Sequence, residues 1–321
     1  MSVLSKAYMY DEAAAFAHVE AMLWPNGPVC PHCGNCDKVY DLKGVRSKPS
    51  KKNPEGVERH GLKKCAECRK QFTVRIGTIF EESHMPLHKW LQAIHLMVSS
   101  KKGISAHQMH RVLEVTYKTA WFLEHRIREA MRTDHTGLMG SGGGVVEADE
   151  TFIGKDPKMM RYYPKGKKIG PRQKMKVLAL VDRTTGRVRS QVIDHLSRRD
   201  IGPIIKANVA TEARMSTDEA SYYRQLDKHF AEHMTVNHGA EEYVRGEAHT
   251  NTLEGYFSIF KRGMKGVYQH CSKKHLHRYA AEFEFRYNNR VANGVDDTER
   301  AAVALSQIVG KRVLYRDSLG V

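Results

Sequence analysis

The stretch Val145–Lys155, Val-Val-Glu-Ala-Asp-Glu-Thr-Phe-Ile-Gly-Lys, constrains the fold more than any other part of this 321-residue chain. Val145, Val146, Ala148, Phe152 and Ile153 suit a buried strand. Glu147, Asp149 and Glu150 are embedded among them, and burying carboxylates is costly unless something compensates their charge. A bound cation is the usual compensation. Alternation along a strand puts Glu147 on the same face as Asp149 and Glu150 on the opposite one. The segment follows directly on Met139-Gly-Ser-Gly-Gly-Gly144, which has the composition of a linker and marks a domain boundary.

The formal net charge is +16 and the sequence pI about 9.5, which points to a polyanionic partner. The basic residues cluster: residues 43–75 carry eleven Lys/Arg against three acids, and residues 155–176 carry nine against one. Nucleic acid is favoured over an anionic membrane surface, because no long basic amphipathic helix with an aromatic face is present. No apolar run is long enough to span a bilayer and no signal peptide is evident, so a cytoplasmic, nucleoid-associated protein with no membrane partner is expected. Disulfides are then not expected among the six cysteines.

Four of those cysteines form two Cys-x-x-Cys pairs, Cys30/Cys33 and Cys65/Cys68, the spacing of a zinc ribbon with one structural Zn²⁺. Gly34 supplies the tight turn after the first pair. Cys36 ranks below these four because it lacks a partner at matching spacing, and His32 lies awkwardly between two ligands; either is open as a ligand. The Lys-, Pro- and Gly-rich stretch 46–61 between the knuckles reads as a mobile basic loop.

Hydrophobic periodicity fills in the rest. Residues 11–24 read as a helix with Asp11 as N-cap and Phe16, Val19 and Leu23 on one face. Leu87, Trp90, Leu91, Ile94, Met97 and Val98 follow the 3.6-residue period after Pro86. Ser105-x-x-Gln108 opens a short helix, and Thr116 caps a longer one with Ala120, Leu123, Ile127 and Met131 inward. Short helix, tight turn, longer helix is the helix-turn-helix layout, with Tyr117, Lys118 and His125 as groove-facing candidates. Beyond the linker, strands are expected at 176–182 and 187–193, joined by Arg-Thr-Thr-Gly, then at 213–218 and 234–238. Helices are expected at 200–208, 222–230, 250–261 and 274–290. Strands in a hairpin followed by alternation with helices give a mixed α/β sheet. The expected domains are 1–82 (helix and ribbon), 83–138 (helix-turn-helix-like), 139–144 (linker), 145–292 (catalytic) and 293–321 (C-terminal helix and tail).

Asp149 on a strand, Asp218 at a strand end and Glu254 at the edge of a helix face are the candidate acids of a metal site. Cleaving a phosphodiester needs an activated oxygen nucleophile and charge stabilisation on the leaving oxygen, and two Mg²⁺ or Mn²⁺ ions held by carboxylates provide both. Asp182, Asp194 and Asp200 compete for the second place, and Glu147 and Glu150 compete with Asp149.

Val-Glu-Ala-Asp-Glu-Thr-Phe-Ile-Gly, Ser-Thr-Asp-Glu, Val-Asn-His, His249-Thr-Asn-Thr-Leu-Glu254-Gly-Tyr-Phe-Ser and Phe283-x-Phe-Arg-Tyr-Asn-Asn resemble the motifs of bacterial insertion-sequence transposases. The group has an N-terminal zinc ribbon and an ISXO-type DDE domain; Cys-Pro-His-Cys-Gly and Cys65-x-x-Cys68-x-x-Gln-Phe-Thr resemble its ribbon. The likeness runs from about residue 11 to about 290, and the long basic insert between the knuckles departs from it. The resemblance implies an RNase H-like catalytic fold and a DDE mechanism, with Asp149, Asp218 and Glu254 as the catalytic and metal-binding acids. His249 and Asn251 sit in the same motif as candidate supports. It implies hydrolysis of a strand at each terminal inverted repeat and attack of the freed 3′-OH on target DNA, with no covalent protein–DNA intermediate. Lys165, Lys167, Lys168 and Arg172 of the basic loop and Lys261 and Arg262 would track DNA phosphates. A two-ended reaction implies a homodimer or higher assembly. A DNA-binding regulator without activity, and an RNase H-like nuclease without strand transfer, stay open on these residues alone.

Overall fold

The computed structural model describes residues 3–51, 53–161, 163–164, 166–236, 244 and 246–314. The chain divides into two units, one formed from residues within 1–100, 104–131 and 296–321, the other from 101–103 and 132–295.

In the first unit, Asp11 caps helix α1 (Glu12–Leu23) by accepting the Ala14 amide at 2.7 Å. A three-stranded antiparallel sheet follows, β1 (Val39–Asp41), β2 (Lys63–Cys65) and β3 (Gln71–Phe72). The insert between β1 and β2 is not the free loop its composition suggests. It folds back on itself, with Ser47 N to Val57 O and Arg59 N to Val45 O both at 2.8 Å. The Arg46 guanidinium ties the turn by donating to the carbonyls of Glu55 and Gly56. Backbone pairing of this kind overrides a polar composition, because the amides satisfy one another whatever the side chains do.

Helices α2 (Leu87–Ser99), α3 (Ala106–Leu113) and α4 (Tyr117–Met131) come next. Pro86 stands at the N-cap of α2 and has no side-chain oxygen to offer. Glu12 supplies the cap from α1 instead: its carboxylate accepts Leu87 N at 2.8 Å and His88 N at 3.1 Å and also meets Arg75 at 3.0 Å. Ser105 caps α3 through Gln108 N, and Thr116 receives Thr119 N ahead of α4. Glu114 takes the left-handed conformation, φ 53°, that turns the chain between these two helices. The short-turn-long pair is thus present. Tyr117 and Lys118 are exposed. His125 is not groove-facing: it is fully buried against Trp121, ring centroids 4.2 Å apart. Helix α4 buries polar as well as apolar residues, so a stripe drawn from the apolar period alone leaves His125 on the wrong side.

The second unit is built on a five-stranded sheet. Its strands are β4 (Val145–Ile153), β5 (Met175–Asp182), β6 (Arg187–Ile193), β7 (Arg214–Asp218) and β8 (Glu232–Val236), in the order β6-β5-β4-β7-β8. The β4/β5 and β5/β6 pairs are antiparallel, while β7 and β8 run parallel to β4. Helix α5 (Pro157–Met160) lies in the basic segment and α6 (Arg198–Asn208) links β6 to β7. Helices α7 (Asn251–Gly263) and α8 (Lys273–Asn288) follow β8. One face of the sheet packs Val177, Ala179 and Val181 against Leu253, Phe257, Phe260 and Leu276. The other packs Val146, Ala148, Leu178 and Leu180 against Ile201, Ile205 and Tyr223. This is the mixed α/β, RNase H-like architecture that the resemblance implies. A last helix, α9 (Asp297–Ser306), belongs to the first unit, where Arg300 donates to the Val98 carbonyl at 2.9 Å.

In the second unit two further expectations change. Segment 222–230 is not a helix but two 3₁₀ turns, 221–223 and 226–228, separated by Gln225 in the left-handed conformation. The Gly-rich stretch 139–144 is part of the second unit rather than a free linker. Met139 is buried and bridges Val209, and Gly140 N donates to Asp182 at 3.0 Å. A Cβ on Gly140 would come within 2.5 Å of the Ala213 Cβ, so glycine here allows close packing, not freedom. Strand β8 ends at Val236; the expected Asn237 and His238 lie outside the described residues.

Replacing Glu12 with Ala removes the acceptor of two α2 amides and the partner of Arg75 together. A loss of about 2 kcal/mol is expected, seen as a lower urea midpoint at unchanged slope; an unmoved midpoint would contradict this account of the α2 cap.

Candidate functional site

Strand β4 is central, flanked by β5 along its whole length but by β7 only from Val145 to Glu147. Past Glu147 the sheet opens on that side, and the opening lies beside the C-terminal end of β7. Asp149, Glu150 and Asp218 converge there: one carboxylate oxygen from each lies within 4.8 Å of the others. Asp218 is fixed by accepting Ala220 N at 3.0 Å, and Asp149 by accepting the Glu150 amide at 2.7 Å. Glu150 receives the hydroxyl of Tyr222 on one oxygen and that of Tyr223, at 2.9 Å, on the other.

Among the described residues Asp149 and Glu150 are crowded acids with no direct ion-pair partner. Burial raises the Asp149 carboxyl to about 8, reinforced by the charges of Glu150 and Asp218 and opposed by the Glu150 amide and Lys261. Burial likewise raises Glu150, while the Tyr222 hydroxyl pulls the other way. Oxygen donors at this spacing suit a hard divalent cation, which would supply the missing positive charge.

Glu254 is not in this cluster. It is exposed in the first turn of α7. Its helix is nonetheless tied to β4 beside the acids, because Glu147 accepts Leu253 N at 3.0 Å and the Thr252 hydroxyl at 2.8 Å. Lys261 is seven positions after Glu254, about two helical turns, so both lie on one side of α7. That side bears on the site, since Lys261 acts on Asp149. Asn251 is exposed at the start of the same helix.

Glu147 is fully buried, and a structural partner rather than a metal accounts for it: Arg183 Nε sits 2.7 Å away. The same guanidinium donates to the His249 carbonyl at 2.7 Å and lies 2.9 Å from its Nδ1, while Ser216 also donates to that carbonyl. His249 thus supports the entry to α7. Asp182 organises the β5/β6 turn through the Thr184 and Thr185 amides, and Asp194 pairs with Lys273 at 2.5 Å. Asp200 sits in the first turn of α6.

Glu150, a competitor of Asp149 in the sequence, does lie on the other face of β4 as alternation requires, yet it joins the cluster. The acid doublet Asp149-Glu150 and the tyrosine doublet four residues past Asp218 were the available signal. Lys167, Lys168, Arg172, Lys261 and Arg262 are exposed, whereas Lys165 lies outside the described residues. The basic segment is pinned at its base by buried Asp156, which meets Lys273 at 2.7 Å.

In the first unit the sulfurs of Cys30, Cys33, Cys65 and Cys68 form a second cluster. Cys30 and Cys68 are 3.7 Å apart and Cys33 and Cys65 3.6 Å apart. Tetrahedral coordination at Zn–S distances of about 2.3 Å requires sulfur separations of roughly 3.8 Å, so the four thiolates fit one zinc ion. Burial works against ionisation of Cys30, yet the His32 and Cys33 amides and the neighbouring thiols bring it down to about 7. Cys36 is exposed and outside the cluster, and so is His32.

Residues 142–288 match the ISXO2-like transposase domain and residues 10–71 match the transposase zinc-ribbon domain, together about two thirds of the chain. The chain therefore belongs to the insertion-sequence transposases that join these two domains. It is also 27% identical over 293 residues to an uncharacterized protein in transposable element ISH50 of Halobacterium salinarum, covering 82% of this chain and 86% of that protein. Among the described residues, no helix is long and apolar enough to cross a membrane.

Two predictions follow from these clusters. The folded state keeps the Asp149 proton between its ordinary 3.8 and about 8. The stability this proton confers is complete below the unfolded value and is lost as pH rises to the folded one. Melting temperature without added Mg²⁺ or Mn²⁺ should fall across that window, and Asp149→Asn should flatten the fall; an equally steep profile in the variant would refute the assignment. Structural zinc is worth on the order of 10 kcal/mol in small modules. Chelation should therefore unfold the ribbon and expose Cys30 and Cys65 to thiol reagents; unchanged circular dichroism and thiol reactivity after stoichiometric metal removal would contradict a four-thiolate site.

Proposed function

We propose that the protein cuts a DNA strand at each end of its own element and joins the freed 3′-OH to target DNA, using Asp149, Asp218 and Glu254. The convergence of Asp149 and Asp218 at the open end of the central strands, in a chain of this family, carries the reading. Two Mg²⁺ or Mn²⁺ ions held by these acids would activate the attacking oxygen and neutralise charge on the leaving one.

The remaining work falls to the chain's own groups. Helix α7 presents Glu254 beside β4 because Glu147 holds its first turn. Lys261, on the same side of α7, offsets the carboxylate charge and meets the DNA phosphates next to the scissile one, with Arg262 extending the contact. His249 and Asn251 support the α7 entry. Lys165, Lys167, Lys168 and Arg172 form a basic strip along the backbone of bound DNA. The zinc ribbon and the α3/α4 pair, with Tyr117 and Lys118 outward, recognise the terminal inverted repeats. Because two ends are processed together, the active species is a homodimer or larger.

The test uses plasmid DNA carrying the repeats that flank the gene, with Mg²⁺. Asp149→Asn or Asp218→Asn should lower both cleavage and joining at least about a hundredfold, since each removes several kcal/mol of charge stabilisation. Full strand transfer by Asp149→Asn would refute the reading. Cleavage by the parent protein with no joined product under any condition would make it a nuclease instead.

A further inference from the structure

We propose that Glu150 is a third carboxylate of the divalent-ion site, held there by Tyr222 and Tyr223, and that with Asp149 and Asp218 it binds one Mg²⁺ or Mn²⁺ in the absence of DNA. The inference rests on the reading of Asp149 and Asp218 as metal ligands.

Strand alternation gives Glu150 the α6 side of the sheet, the face that carries the apolar cluster of Tyr223, Leu226 and Ile201, where a carboxylate is out of place. Its oxygen still lies within 4.8 Å of those of Asp149 and Asp218. The topology makes this possible. Because β7 leaves β4 after the Glu147–Ser216 pair, carboxylates from both faces of β4 reach the same gap. Ser216, two residues before Asp218, is the last point of contact between the two strands, so the gap and the acid at its edge have one origin.

The two tyrosines account for how Glu150 is held. Each gives its hydroxyl to a different carboxylate oxygen. An ionised carboxylate has about two acceptor positions per oxygen, so each oxygen keeps one for a cation. Tyr223 is buried and packs edge-on against Tyr222, ring centroids 4.8 Å apart, which fixes both donors. Neither donor carries charge. Among the described residues, no Lys, Arg or His lies within ion-pair distance of Asp149 or Glu150. Lys261 acts on Asp149 only from farther away. Compare Glu147, three positions before Glu150 on β4, whose charge is met directly by Arg183. Two acids on one strand have thus been treated differently, one given a guanidinium and the other neutral donors that leave room for an ion. Tyr222 and Tyr223 are positioning residues on this account.

The experiment titrates Mn²⁺ into zinc-loaded full-length protein without DNA, counting free Mn²⁺ by electron paramagnetic resonance and checking the fold by circular dichroism. Glu150→Gln should weaken Mn²⁺ binding at least about tenfold, and the double variant Tyr222→Phe/Tyr223→Phe about tenfold. The double variant keeps the test decisive if Glu150→Gln folds poorly. Parent affinity in Glu150→Gln, or in the folded double variant, alongside lost affinity in Asp149→Asn overturns the role of Glu150 and leaves the Asp149–Asp218 site standing. No Mn²⁺ binding by the parent protein, or parent affinity in Asp149→Asn as well, overturns both.

Discussion

The ion pair between Glu147 and Arg183 is the constraint on which the second unit's chemistry depends. Glu147 is fully buried on β4, and removing either partner would leave an isolated charge inside the protein. Its second oxygen binds the first turn of α7, and Arg183 reaches on to the His249 backbone just before that helix. Strand, hairpin turn and helix are thereby joined at one point. The acids proposed for catalysis are then set by short tethers from that point: Asp149 two residues along β4, Glu254 one residue past Leu253. The charge of Glu147 is thereby already met by a guanidinium, with none left for a metal to neutralise.

This explains how far the sequence could be read. Apolar period located α2, α4, α7 and α8, because burial of a stripe is a local property of the chain. The four zinc cysteines were legible from spacing alone, since a metal knuckle imposes its own separation. The acids were harder. Which of Glu147, Asp149 and Glu150 faces a metal depends on where Arg183 lies and where β7 leaves β4, and neither is local. Alternation correctly sent Glu150 to the far face, yet the opening of the sheet cancels the separation that alternation implies. The Gly-rich stretch misled in the opposite direction: Gly140 serves close approach to Ala213 and Val146, which composition alone cannot separate from flexibility.

The two metal clusters illustrate opposite solutions to crowding like groups. In the ribbon, thiols are brought to tetrahedral spacing, and the His32 and Cys33 amides already favour the anionic form of Cys30. Closed coordination by four sulfurs leaves no position for a substrate, so this site folds the module and does nothing further. At the carboxylates the balance runs the other way. Asp149 is pushed toward its protonated form by burial and by its neighbours, and neutral tyrosine donors stand where a structural site would place a cation.

That arrangement carries a stability cost which a purely structural role does not explain. A buried acid is relieved by pairing it with a cation, as Glu147 with Arg183 and Asp156 with Lys273 both show within the same unit. Asp149 and Glu150 have no such partner among the described residues, although the chain carries 52 Lys and Arg residues from which one was available. Positive charge lies on the surface at Lys167, Lys168, Arg172 and Arg262, where it would meet the polyanion of the proposed reaction, and not within ion-pair distance of Asp149 or Glu150. A site that must accept a removable cation and a phosphate in turn requires that division.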